Sequence, residues 1–120
     1  MAEAFITRRG GSGNLNYYNI SLITGGYYQD KEAQYQFTIP EEIDINNIKA
    51  VILQSMVSFS TFGYNCVIFD TTGQKLYENC YNDSRHIPTN FVVSEENRSI
   101  TFREFYGTGS AGNYTAVLIY

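Results

Sequence analysis

From Gln34 to Ile39 the chain alternates polar and apolar residues without a break (Gln34, Gln36 and Thr38 against Tyr35, Phe37 and Ile39), and no stretch sustains a 3.6-residue period. Successive side chains of an extended strand point to opposite faces, so a period of two marks a half-buried strand. The pattern recurs in Tyr18, Ile20 and Leu22 against Asn19 and Ser21, and in Ile100 and Phe102 against Thr101 and Arg103. Asn65 to Asp70 and Lys75 to Tyr81, around the turn Thr71-Thr72-Gly73-Gln74, predict a hairpin. Asn90 to Val93 and Ser99 to Phe105, joined by Ser94-Glu95-Glu96-Asn97-Arg98, predict another. Ile48 to Phe59 and Tyr114 to Tyr120 are apolar on both parities, which predicts strands covered on both faces, the first of them central. Residues 43–47 fit either a short helical turn or a loop. About eight short strands, with turn signals roughly every ten residues, predict an all-β fold. The expected architecture is an antiparallel β-sandwich of jelly-roll or Greek-key type.

At 120 residues the chain is long enough for one domain with its own core. Its 11 Tyr and 8 Phe suit pleated, half-buried surfaces. A formal net charge of -4 argues against nucleic acid, whose phosphates require clustered Lys and Arg. No apolar run approaches the roughly 20 residues that span a bilayer, so no membrane insertion is expected. The start, Met1-Ala-Glu-Ala-Phe-Ile-Thr-Arg-Arg, lacks the basic-then-apolar order of a signal peptide, and synthesis and folding in a cytoplasm are expected. There Cys66 and Cys80 are expected to be free thiols serving as small core hydrophobes. Their register depends on the turn between them. A two- or four-residue loop sets Cys66 opposite Asn79, whereas a three-residue loop sets it opposite Cys80, the only register in which the sulfurs could bond.

Motifs that suggest chemistry fall short on their context. Gly107-Thr108-Gly109-Ser110-Ala111-Gly112 matches the dinucleotide-binding glycine pattern, which must open a helix within a βαβ unit. Here a strand follows at once, so a hairpin loop is expected. Asp83-Ser84-Arg85-His86 holds the residue types of a hydrolytic triad, but neighbours on one loop do not converge as a triad requires. His86 is the only histidine. The pairs Glu41-Glu42 and Glu95-Glu96 lie at expected turns, where charge keeps a loop solvated. The sequons at Asn19, Asn82, Asn97 and Asn113 are read as by-products of an Asn-rich chain. No catalytic residue, cofactor or metal is assigned, and the expected class is non-enzymatic.

Two features point to binding. Arg8-Arg9-Gly10-Gly11-Ser12-Gly13-Asn14 has no periodicity and predicts a flexible basic arm over residues 1–15, ahead of a β-domain over 16–120. Tyr17-Tyr18 and Tyr27-Tyr28 are adjacent pairs, so one ring of each must leave the core face and is available to a partner. The first thirteen residues, with Phe5-Ile6-Thr7-Arg8-Arg9-Gly10-Gly11 at their centre, resemble the start of small tail-associated proteins of phages and phage-like particles of Gram-positive bacteria. The resemblance implies a virion or phage-tail component: a tail, baseplate, fibre or decoration subunit made in the bacterial host cytoplasm. Its expected partners are other particle proteins and further copies of itself. The partner-binding residues expected are Arg8, Arg9, Gly10 and Gly11 in the arm, with Tyr17, Tyr27 and Tyr28 in the body. The alternative is a carbohydrate- or receptor-binding sandwich that stacks tyrosine rings on a cell-surface glycan.

Overall fold

A computed structural model describes residues 15–29, 31–56, 65–80, 87–105 and 113–120, with the backbone alone at Tyr27, Gln29, Met56, Cys80 and Phe105. These residues hold nine strands: β1 (Tyr17–Thr24), β2 (Gly26–Gln29), β3 (Glu32–Thr38), β4 (Ala50–Met56), β5 (Asn65–Phe69), β6 (Lys75–Cys80), β7 (Pro88–Ser94), β8 (Ser99–Phe105) and β9 (Asn113–Ile119). They form a five-stranded sheet in the order β1-β9-β4-β5-β6 and a four-stranded sheet in the order β2-β3-β8-β7. Every pairing is antiparallel. The expected β-sandwich is the fold. β9 returns to lie between β1 and β4, and β8 between β3 and β7, the nested pairing of early with late strands that characterises jelly rolls. The strand not foreseen is β2, whose four residues are too few to show a period.

The inward parities of both sheets build one core. Val51, Leu53, Val67, Tyr114 and Leu118 come from the larger sheet and Ala33, Tyr35, Ile100 and Phe102 from the smaller, all fully buried. Aromatic rings join the layers. Phe69 stacks on Phe91 at 4.6 Å. Tyr35 stacks on its cross-strand partner Phe102 at 4.8 Å, and Tyr114 meets Tyr35 edge-on at 5.0 Å. Offset and T-shaped arrangements like these match the ring quadrupoles and add to simple burial. Gly25 lets the chain pass this cluster, because a Cβ there would lie 2.4 Å from the Tyr35 ring.

Between the sheets, residues 43–47 resolve into a 3-10 turn over Ile45–Asn47, capped by the Asp44 carboxylate. Ile39, Ile43, Ile45 and Ile48 from this crossover are buried in the core. Arg98, at a positive φ of 50°, donates to the carbonyls of Pro40 at 2.5 Å and Ile43 at 2.7 Å. It thereby ties the crossover to the β7–β8 turn. At the β5–β6 turn, Asp70 accepts from the Thr72 hydroxyl and from the backbone of Thr72 and Gln74. The Thr72 hydroxyl chiefly holds the Asp70 carboxyl below its ordinary range. Among the described residues no helix is long and apolar enough to cross a membrane.

Three expectations are corrected. In β1 the alternation breaks at a bulge between Ile20 and Ile23, so Ile23 turns inward and Leu22 is left 58% exposed. β4 is the middle strand of its sheet, but only Val51, Leu53 and Ser55 are buried, while Ala50 and Ile52 are half-buried and Gln54 is exposed. β9 is less one-sided: Tyr114, Ala116 and Leu118 face the core, while on the other side Thr115 and Val117 are half-buried and Ile119 is buried. Residues 57–59 of the expected central strand lie outside the described residues, as do 106–112. The strands flanking 106–112, β8 and β9, belong to different sheets, so those two strands do not pair as the expected hairpin.

Candidate interaction surface

Of the residues expected to bind partners, Arg8, Arg9, Gly10 and Gly11 lie outside the described residues. Tyr17 is 41% exposed and Tyr28 38% exposed; the side chain of Tyr27 is not described. The two exposed rings do not share a surface. Tyr18 and Ile20 pack against the core, which turns Tyr17 to the outer face of the five-stranded sheet. Tyr28 lies on the outer face of the other sheet, where the Arg103 guanidinium sits 4.0 Å above its ring and donates to its hydroxyl at 2.9 Å. That cation–π contact occupies one side of the ring.

The outer faces of the two sheets differ in chemistry. On the four-stranded sheet, Gln34 pairs across to Arg103 and on to Thr89, and Gln36 pairs to Thr101 and on to Val92. This face is polar. On the five-stranded sheet, one row crosses all five strands in register: Asn19, Val117, Ile52, Ile68 and Tyr77. Beside it run Tyr17, Ile119 and Ala50 on one side and Thr115, Gln54, Cys66 and Asn79 on the other. None of these twelve side chains is charged. Of the apolar ones, Ile119 is buried and Ala50, Ile52, Ile68 and Val117 are half-buried. The middle of the larger sheet therefore presents half-buried Ile52, Ile68 and Val117 outward, rimmed by neutral polar and tyrosine side chains.

Composition hid this face. Apolar residues on both parities of β4 and β9 predict cover on both sides, whereas the other sheet lies on one side only. Cys66 shares the exposed side, opposite Asn79, while Cys80 is opposite Asn65. The cysteines are thus not a cross-strand pair, and Cys66 is a free thiol outside the core, which corrects its expected role. Partial burial pushes its pKa up, so it is a weak nucleophile at neutral pH.

The most unusual group inside the protein is Glu104, fully buried. Its two carboxylate oxygens accept from the Tyr35 hydroxyl at 2.7 Å and the Tyr114 hydroxyl at 2.8 Å. Burial, and then the neighbouring carboxylate, push the Tyr114 hydroxyl far above its ordinary range. Tyr35 and Tyr114 are also fully buried, so the cluster offers no atom to a solute, and its evident work is to join β3, β8 and β9. A sequence signal for it existed: Glu104 has the parity of Ile100 and Phe102, the inward one. Segments 57–64, 81–86 and 106–112, which include His86 and the glycine run, fall outside the described residues. Among the described residues no three His, Cys, Asp or Glu side chains group as metal ligands.

No protein-family model matches the chain, and neither a curated protein nor a solved structure matches it significantly.

Proposed function

We propose that the chain is a non-enzymatic structural subunit of a phage or phage-tail-like particle, assembling with other particle proteins and with copies of itself through its N-terminal arm. The observation that supports this reading is the outer face of the five-stranded sheet, where half-buried Ile52, Ile68 and Val117 lie among neutral polar and tyrosine side chains. Aliphatic side chains left half-buried on the outside of a sheet, with exposed tyrosines beside them, suit a contact with another protein. The arm adds to it by position. Asn16, which pairs through its backbone with Tyr120, precedes β1, an edge strand of that same sheet. The particle class rests on the resemblance of the first thirteen residues.

The test is deletion of residues 2–13, beside Arg8→Ala and Arg9→Ala, with incorporation into particles or oligomer mass as the readout. Loss of incorporation with the body still folded is the expected result. If all three variants assemble like the parent, the arm is only a linker and the particle assignment loses its main support. The carbohydrate-binding reading is favoured by one observation, the Gln, Thr and Arg side chains around Tyr28 on the other sheet. Glycan binding by the body without residues 2–13, abolished by Arg103→Ala, is the result that would establish it.

A further inference from the structure

We infer that the open edge of β6 takes the N-terminal arm of a neighbouring copy as an added strand. The inference deepens the assembly reading by naming where the arm docks, and it rests on that reading for its setting.

Among the described residues β6 is held on one side only. It is the last strand of the five-stranded sheet and pairs with β5 alone. Its side chains from Lys75 to Asn79 are all exposed. Tyr77 and Glu78 pair in regular register with Ile68 and Val67, so they point to opposite faces. Val67 is fully buried, yet Glu78 on the same face is exposed. The strand therefore overhangs the smaller sheet. Phe69 of β5 already stacks on Phe91 of β7, the last strand of that sheet. Leu76 at 52% and Tyr77 at 50% exposure thus lie on a strand open at both faces and along one edge. The other edges are blunted by devices that discourage pairing. β2 has four residues and a bulge, and β7 starts at Pro88 and bulges between Thr89 and Val92. β1 bulges after Ile20 and is the strand into which the arm itself leads. β6 has its irregularity at Leu76, and Tyr77–Cys80 pair without a break.

The arm has the composition such an edge takes. Phe5-Ile6-Thr7 is aromatic and β-branched, which suits a strand, and Gly10, Gly11 and Gly13 place few limits on the path of the chain. Two of the eight basic residues and one of the twelve acidic ones lie in the first thirteen positions. A basic segment thus precedes an acidic body, and copies that otherwise repel attract each other here. Position selects a neighbour. The arm enters at β1, and β6 is the opposite edge of the same sheet, about 19 Å away across four strand spacings. Where copies lie side by side in the plane of that sheet, β1 of one abuts β6 of the next. The arm then crosses only the gap between them and gains main-chain hydrogen bonds along the edge. Such a contact is head-to-tail, so it repeats into a ring or a filament, which suits a repeated subunit.

The experiment is disulfide trapping between full chains that carry Cys66→Ser and Cys80→Ser. A chain with Phe5→Cys is mixed with one carrying Tyr77→Cys, or Asn79→Cys where the first variant fails to fold, and the mixed dimer is followed in oxidised glutathione. Val92→Cys, at a position 54% exposed on the edge strand β7, is the control. Trapping at β6 is expected to run at least about tenfold faster than at the control, since docking raises the local concentration of the two thiols. Equal rates overturn the inference. Deletion of residues 2–13 separates the two proposals. If it abolishes assembly while trapping shows no preference for β6, the arm works through another surface and the β6 dock alone is wrong. If trapping prefers β6 while the deletion leaves the oligomer mass unchanged, the dock stands and the arm is not what holds the assembly together.

Discussion

Glu104 is the residue whose placement is hardest to reconcile with ordinary preference, since carboxylates are seldom fully buried without partners. Among the described residues it accepts from two phenolic hydroxyls, each on a ring held by stacking on Phe102 or by edge contact with it. The aromatic cluster thus orients the donors, and the donors satisfy the carboxylate. Tyr35→Phe keeps the ring and removes only the hydroxyl at Glu104. We expect a loss of about 1.5–3 kcal/mol, the range for a hydrogen bond to a charged group whose acceptor remains buried. Urea denaturation measures it, and an unchanged midpoint would mean that this bond contributes nothing to stability.

At the level of elements, the strands were legible where alternation was clean and misjudged where geometry interrupted it. β3 and β8 follow their sequence parity throughout. β1 does so only as far as Ile20, because the bulge inserts a residue and exchanges the roles of Leu22 and Ile23. Nothing in a period of two announces a bulge. β4 was correctly central, yet its second apolar parity reflected an exposed face and not a second layer. Substitution distinguishes these positions. Leu53→Ala, at the buried centre of β4, is expected to cost about 2–5 kcal/mol, whereas Leu22→Ala, on the exposed side of the bulge, stays within about 0.5 kcal/mol. Equal losses at the two sites would show that the β1 register is not the one described.

For the whole molecule, the sandwich was readable from strand spacing and composition, but its functional surface was not. Tyr17 and Tyr28 are exposed, but sequence could not tell that they lie on the outer faces of different sheets, because sheet membership is set by long-range pairing. The neutral row through Ile52 adds β1 and β9, from the two ends of the chain, to the consecutive strands β4, β5 and β6, so no local motif marks it. The central claim is that this row becomes covered when the protein assembles, and Cys66 reports on it from within the same face. In a Cys80→Ser background, alkylation by a small maleimide is compared between the free chain and the chain assembled into particles or oligomers, at a pH high enough to offset the raised thiol pKa. The account predicts a lower rate constant for Cys66 in the assembled chain. Equal rate constants in the two states would contradict it.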